Sequence, residues 1–388
     1  MNTYTVKPGD SLTKIAIKIF GNANKWREIA DLNGIADPAK IRVGQVLNLM
    51  PKTATPAVTP APVTPAPAAN TTTLAPVVKP VSGDAEITIS GKSVFYRFSN
   101  TTEKIFLGTL FKKGISRTGS FNTEHFINDN AALLASLKLS SSEINTLLAT
   151  SQNEGNLDSI NTWDNSYLSW GMFQWTMGQL TDAGELAALL KLISDKQPTA
   201  FKTYFGDFGI GIAAGTGDVT GFITLNNVIQ NTDARKAAFR NNNWALRFAL
   251  AGKEPVICAV QVLHAINRFN RFYFVQDADF GGLSINDMLS SEYAASLLLD
   301  QHVNRPGHLK AVVAQAVSQS GFTPQQIANG TDADELKVIN KYLSIRRTFG
   351  KSPMTNSDTR AKVVKNFLDK GLISAAKKSF VSNRNLRS

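Results

Sequence analysis

A chain of 388 residues with 43% hydrophobic and 18% charged residues is too long for one small core and has ample apolar surface to bury, so a small module plus a larger globular domain is expected. The longest apolar runs, around Leu186 to Ile193 and Ala294 to Leu299, are too short to cross a bilayer, so no membrane insertion is expected. The formal net charge is +11, and the stretch from Lys341 onward alone holds 12 Lys/Arg against 2 Asp/Glu. It reads as a basic C-terminal tail; with neither interleaved aromatics nor a nucleic-acid-binding motif, anionic cell-wall polymers suit it better than nucleic acid.

The opening, Met1-Asn2-Thr3-Tyr4-Thr5-Val6, has no basic start, apolar stretch or small-residue cleavage site, so no Sec-type signal is expected. Pro8-Gly9 turns the chain, Asp10 can cap a helix, and Leu12, Ile15, Ala16 and Ile19 fall on one helical face. A second stripe follows at Trp26, Ile29, Ala30 and Leu32, ended by Asn33-Gly34, and Val46-Leu47-Asn48-Leu49 has the character of a closing strand. Residues 1–50 thus read as a small βααβ unit. From 51 to 84, Pro, Ala, Thr and Val dominate and Thr-Pro-Ala recurs at Thr55, Thr59 and Thr64, a composition that builds no core and favours an extended linker.

Beyond it, residues 85–388 are expected to form one mainly helical α+β domain with a small β portion. Glu86 to Ser90 and Ser93 to Phe98 read as a hairpin around Gly91-Lys92, with Ile105 to Leu110 a third strand. Helices are predicted at about 141–154, 181–194, 254–268, 286–301 and 307–318. Cys258, the one cysteine, reads as a buried small hydrophobe, and the scattered histidines lack metal-ligand spacing, so neither metal nor cofactor is expected.

The first of the central helices carries the candidate chemistry. Ser140 and Glu143 have capping-box spacing, and the face holding Ile144, Leu147 and Leu148 extends through Ser151 to Glu154 before Gly155 stops the helix. A carboxyl there would sit among apolar rings such as Trp163, Trp170 or Phe173 and near the negative end of the helix dipole; both effects favour the protonated form that a general acid for glycoside cleavage needs. Further on, Asn304 or Arg305, in a polar helix junction closed by Pro306-Gly307, could reach a sugar subsite.

Two resemblances give these patterns a family context. Tyr4-Thr5-Val6-Lys7-Pro8-Gly9-Asp10-Ser11-Leu12, Ile15-Ala16, Leu32-Asn33 and Ile41-Arg42-Val43-Gly44-Gln45-Val46-Leu47 closely resemble a LysM domain. The resemblance implies binding of peptidoglycan or other N-acetylglucosamine-containing glycans in a groove formed by Gly9, Asp10, Ser11 and Leu12 with Asn33, Gly34 and Ile35. The Phe20-Gly21-Asn22 and Trp26 variant is similar to LysM proteins of phage tails and contractile-injection baseplates, so particle proteins are possible partners.

The segment Glu154-Gly155, Asn161-Thr162-Trp163-Asp164 and Ser169-Trp170-Gly171-Met172-Phe173-Gln174-Trp175 is similar to the active-site region of the lysozyme superfamily. By that resemblance Glu154 matches the general acid, Asp164 the second carboxylate and Ser169 a hydroxyl that helps hold the attacking water, while Gly171 and Gln174 shape the substrate groove. The expected activity is that of a wall-targeted N-acetylmuramidase, acting at the cell wall after lysis or particle delivery. Asp164 departs from the phage-type spacing and Asp158 competes for its role. If neither faces the cleft, the pattern is that of a lytic transglycosylase, in which one Glu suffices and the muramoyl C6 hydroxyl attacks internally. A third reading is a non-catalytic wall-binding component.

Overall fold

The computed structural model describes residues 3–7, 10–20, 29–30, 32–33, 35, 41–49 and 85–387, and separates into two compact units, Met1–Leu74 and Ala75–Ser388. Pro8, Gly9, Trp26, Gly34 and the expected linker lie outside the described residues.

In the small unit, β1 (Thr3–Thr5) pairs antiparallel with β2 (Val46–Asn48), Tyr4 opposite Leu47, with α1 (Leu12–Phe20) between them in sequence. Leu12, Ile15 and Ala16 of α1 pack with Val6, Ile29, Ala30, Leu47 and Leu49 in one core. Ile19, expected on the same face, is instead 40% exposed at the far end of the helix. Ser11, not Asp10, caps α1: its hydroxyl accepts from the Lys14 amide at 3.2 Å, while Asp10 closes the preceding turn by accepting from the Lys7 amide at 2.8 Å.

The large unit begins with a seven-stranded antiparallel meander, β3 (Ala85–Ser90), β4 (Ser93–Phe98), β5 (Ile105–Phe111), β6 (Gly114–Arg117), β7 (Ile160–Asn161), β8 (Ser169–Trp170) and β9 (Trp175–Thr176), each paired with the next. The predicted hairpin and third strand are its first three members. The helices α2 (Thr123–Asp129), α3 (Ala131–Ser136) and α4 (Ser141–Ser151) are inserted between β6 and β7. After β9 come α5 (Glu185–Lys196), α6 (Pro198–Tyr204), a small sheet of β10 (Ile210–Ile212), β11 (Ile223–Leu225) and β12 (Val228–Ile229), then α7 (Asp233–Ala237), α8 (Asn242–Ala251) and α9 (Pro255–Asn267). The rest is helical: α10 (Ile285–Met288), α11 (Glu292–Asn304), α12 (Pro306–Gln319), α13 (Pro324–Ala328), α14 (Asp332–Arg346) and α15 (Ser357–Asp369). Among the described residues no single helix is long and apolar enough to cross a membrane.

The helix expected over 286–301 is broken because Ser291 caps a new helix, its hydroxyl accepting from the Ala294 amide at 3.0 Å. In α9 every residue from Ile257 to Ile266 is buried, so it is a core helix with no solvent face. The Cys258 thiol is sealed there and donates to the Gly252 carbonyl at 3.1 Å.

The basic C-terminal stretch is not a tail. It is built into the core, because its cations interrupt a helical stripe of Ser357, Val364 and Phe367, all buried, and Ile373 and Phe380 continue the same cluster. Arg346 is only 1% exposed, Lys377 Nζ donates to the carbonyls of Met288 and Ile327, and Arg387 forms two 2.7 Å bonds to buried Glu143. Arg346, Arg360, Lys377 and Arg387 are therefore structural cations satisfied inside the fold, while seven of the twelve, Arg347 and Lys365 among them, stay exposed on its surface, which corrects the reading of a solvated arm.

Candidate functional site around Glu154

The capping box at Ser140 and Glu143 forms as expected, with the Glu143 amide donating to Ser140 Oγ at 3.0 Å and the Ser140 amide to Glu143 Oε2 at 2.9 Å. Leu147 is fully buried, whereas Ile144 and Leu148 are half-buried. The helix stops at Ser151 rather than 154, and Glu154 lies in a further turn held by its amide bonding the Ser151 carbonyl at 3.0 Å. The next amide, Gly155, donates to the Met172 carbonyl at 3.0 Å and docks this turn onto the tip of the β8–β9 hairpin.

That hairpin contains two residues named from the sequence. Gly171 has φ +80°, and a Cβ there would lie 2.4 Å from Gln261 Oε1 and 2.7 Å from the Trp175 ring, so only glycine fits. Gln174 also has positive φ and ties the turn by donating to the Gly171 carbonyl at 3.0 Å. Trp170, expected beside the acid, is instead fully buried in edge contact with Phe205 and Phe248, and Trp163 stacks outward on Phe111 with centroids 4.9 Å apart. Phe173 stays in the hairpin, 5.7 Å from Trp175.

Glu154 meets residues from the far end of the chain. Asn304 at the end of α11 donates to its Oε1 at 3.1 Å, and the Arg360 guanidinium of α15 donates to the same oxygen. Arg360 also bonds Asp300 Oδ1, at 2.9 and 2.6 Å, and the Asn153 carbonyl at 3.0 Å. Asp300 is fully buried, with its second oxygen facing Arg346 at 3.2 Å. The Glu154 side chain is 14% exposed, and among the described residues nothing bonds its Oε2. Burial pushes this carboxyl up from 4.5 to about 7, and the Asp300 charge adds to the rise while Arg360 opposes it. Asn304, named from the sequence as a sugar-subsite candidate, instead bonds the acid itself, whereas Arg305 bonds the Ser352 carbonyl at 3.1 Å and does not reach it.

The competing carboxylates have other partners. Asp158 is fully buried and takes bonds from the Ser120 and Phe121 amides at 2.7 and 2.8 Å and from Arg117 at 3.0 Å. It is a structural anchor of the sheet, not a cleft residue. Asp164 lies at the β7–β8 turn, where Oδ2 accepts from Asn161 at 2.9 Å and Oδ1 from the Ser166 amide at 2.8 Å. Ser169 is 2% exposed in the middle of three strands, and its hydroxyl has no partner among the described residues. It is walled off from bulk water.

A second ionic cluster lies on α5 and α9. Glu185 accepts from Arg268 at 2.9 and 3.1 Å and from Arg271 at 2.6 Å, with His264 Nε2 at 3.3 Å. Burial works to raise the Glu185 carboxyl, but the His264 bond and the two arginine charges outweigh it and hold it at about 2. Arg268 Nε donates to His302 Nδ1 at 3.0 Å, and His302 stacks on Phe272 at 4.2 Å. Burial, with the neighbouring arginines, lowers His302 to about 3 and keeps it neutral.

In the small unit, Asp10 accepts from the Tyr4 hydroxyl at 2.9 Å as well as from Lys7. Leu12 is a core residue, 1% exposed, and Ile35 packs against the same core. Asn33 clamps the helix end to β2, donating to the Ile29 and Asn48 carbonyls at 2.7 and 2.9 Å and accepting from the Asn48 amide at 2.7 Å. Leu12 is thus committed to the core and Asn33 to the clamp on β2, and Gly9 and Gly34 lie outside the described residues.

Comparison with known proteins agrees with this geometry for the small unit. Residues 4–49 match the LysM domain family, a class of peptidoglycan-binding module. Stretches of similar length match two esterases of Mycobacterium tuberculosis, from strains CDC 1551 and H37Rv, each 52% identical over 44 residues, and an uncharacterized protein of Deinococcus radiodurans, 48% identical over 46 residues. These matches cover 11%, 11% and 12% of this chain, and 10%, 10% and 18% of the relatives' own lengths. The chain is therefore a multidomain protein with an N-terminal LysM domain and a mostly helical unit with some sheet.

Proposed function

We propose that the chain binds peptidoglycan through its LysM domain and cleaves the glycan strands with the large unit, using Glu154 as proton donor. The observation that carries this reading is the state of one carboxyl: it is pushed up to about 7, partly exposed, bonded on Oε1 only, and set against a turn whose glycine-dependent shape is rigid. A proton on Oε2 is held near neutral pH and can pass to the glycosidic oxygen. Asn304 fixes the carboxyl plane, and Arg360 stabilises the carboxylate left after transfer.

Of the two chemical routes, the arrangement favours the one that needs a single carboxyl. Hydrolysis by a carboxylate pair requires a second free carboxylate across the scissile bond. Asp158 and Asp300 are sealed in buried ion pairs, and both Asp164 oxygens are engaged by the hairpin turn. Glu154 then acts twice, first protonating the leaving oxygen and then, as the carboxylate, taking the proton from the muramoyl C6 hydroxyl as that oxygen attacks C1, which yields a 1,6-anhydro end. The lysozyme-like character of the unit and the N-acetylmuramidase route belong to the same proposal, with water replacing the C6 hydroxyl. Action would be at the cell wall, reached by lysis or carriage on a phage tail or injection particle.

The test is digestion of purified sacculi by the wild type, Glu154→Gln and Asp164→Asn, with mass spectrometry of the products. Anhydromuramoyl ends, a dead Glu154→Gln and an active Asp164→Asn are expected. Reducing muramoyl ends with a dead Asp164→Asn would restore the two-carboxylate hydrolase. Wall binding with no cleavage by the wild type would make the chain a non-catalytic binding component.

A further inference from the structure

We propose that a second site, a cleft of about 950 Å³ between α5, the end of α9 and the C-terminal segment, binds the acidic peptide stems of peptidoglycan while the strand lies at Glu154. The proposal rests on the glycan-cleavage reading for the identity of the polymer, but its own observations are independent of Glu154.

Cations from four separate segments converge on this cleft: Lys138 after α3, Lys191 and Lys196 on α5, Arg271 after α9, and Arg387 near the C-terminus. Lys191 is balanced by Asp195 and Asp218 at 3.1 and 3.3 Å, the acidic residues that line the cleft. Lys138 and Lys196 have no counter-ion among the described residues, and both are exposed. The two arginines are different in kind. Each is fixed from behind by a carboxylate outside the cleft wall, Arg271 by Glu185 and Arg387 by Glu143, so their guanidinium planes are held in place before any ligand arrives. The Arg387 side chain is only 9% exposed and meets the cleft with its edge, while Lys138 and Lys196 stand free beside it. Guanidinium groups fixed in this way beside two free ammonium groups make a receptor for carboxylate or phosphate.

The rest of the wall selects a peptide. Asn267 and Asn270 present carboxamides without protein partners among the described residues, able to donate to and accept from a peptide backbone. Leu137, Leu192, Val219 and Leu386 add apolar surface that matches aliphatic side chains but gives nothing to a polyphosphate chain. The volume suits an oligomer of a few residues. The cleft also connects to the candidate active site through side chains: Arg271 and His264 line it and contact Glu185, which bonds Arg268, whose guanidinium lies 5.9 Å from the Phe173 ring in the hairpin beside Glu154.

The experiment uses the full chain and fluorescence anisotropy with a labelled Ala-Glu-diaminopimelate stem peptide, its carboxylates free, compared with the amidated peptide and with inorganic polyphosphate. The free acid is expected to bind at least about tenfold more tightly than the amide. Lys138→Glu with Lys196→Glu should weaken it by about tenfold or more, and the milder Lys138→Gln with Lys196→Gln by less, with unchanged circular dichroism. Glu154→Gln should bind the peptide normally, and the lysine variants should cleave peptide-free glycan strands at the wild-type rate while losing rate on sacculi. Equal affinity for the amidated peptide, unchanged affinity in the double glutamate variant, or polyphosphate binding as tight as the peptide would overturn the proposal. Absence of glycan cleavage by the wild type would sink the catalytic reading alone, because the peptide titration is read without turnover.

Discussion

Glu154 and Glu185 are both largely buried carboxyls facing arginine, 14% and 17% exposed, yet one is driven up to about 7 and the other down to about 2. The difference lies in how the positive charge is shared. Glu185 has Arg268, Arg271 and His264 around it with no second carboxylate sharing them, and these outweigh the cost of burial. Glu154 has one arginine, and Arg360 divides its donors between Glu154, Asp300 and the Asn153 carbonyl. A buried carboxylate with half a partner keeps its proton; one with three partners loses it. The first arrangement suits chemistry, and the second suits structure.

The largest expected effect breaks the comparison at its reactive member. Glu154→Gln should lower strand cleavage by about 10²–10⁴-fold, since glutamine keeps the shape and the Oε1 contacts but carries no transferable proton. The same variant should be more stable than the wild type at pH 8. A raised folded-state pKa gives stability that is full below the unfolded value of 4.5 and is lost as pH rises through about 7, so the ionised wild type bears a cost of up to about 3 kcal/mol that glutamine avoids. Thermal melts of both at pH 5 and pH 8 measure it; an equal stability difference at both pH values would contradict the raised carboxyl.

At the structural member the signs reverse. Glu185→Gln should cost about 3–5 kcal/mol at pH 7, because it leaves Arg268 and Arg271 buried with too little negative charge, while the pH profile of cleavage keeps its shape. Glu185 contributes stability above 4.5 that is lost as pH falls toward about 2, so the gap between wild type and variant in urea titrations should narrow below pH 4.

Two smaller effects sharpen the contrast. Leu147→Ala should cost about 2–5 kcal/mol and Leu148→Ala clearly less, since Leu147 is fully buried under the turn that presents Glu154 and Leu148 is half-buried. Arg360→Gln should move the alkaline limb of the rate profile upward from about 7 by roughly one unit, because the guanidinium opposes the rise, and Arg360→Lys should move it less. A downward shift in Arg360→Gln would mean that Arg360 does not stabilise the Glu154 carboxylate.

Local pattern determined a good deal of this protein. The helix that leads to Glu154 was legible from a capping box and a spaced apolar face, and the LysM unit from a motif in which nearly every residue serves a turn or a core contact. Gly171 and Gln174 were named only through the resemblance, as groove residues, and their turn geometry came from the structure, whereas Asn304 was legible because polar side chains at a helix junction stood out from apolar neighbours. What tertiary structure alone decided is which charges meet. Asp158 and Glu154 are four residues apart, but one is sealed by Arg117 and two backbone amides and the other keeps 14% of its side chain exposed, and nothing in the intervening residues says which. Arg360 comes from a stretch whose net charge reads as a solvated tail, although its place on the stripe with Ser357, Val364 and Phe367 marks a cation facing the core. The physical reason is range: periodicity and capping act within a few turns of chain, whereas the Glu154 carboxyl is set by desolvation and by Asp300 and Arg360, groups 146 and 206 residues away in sequence that only packing brings to it.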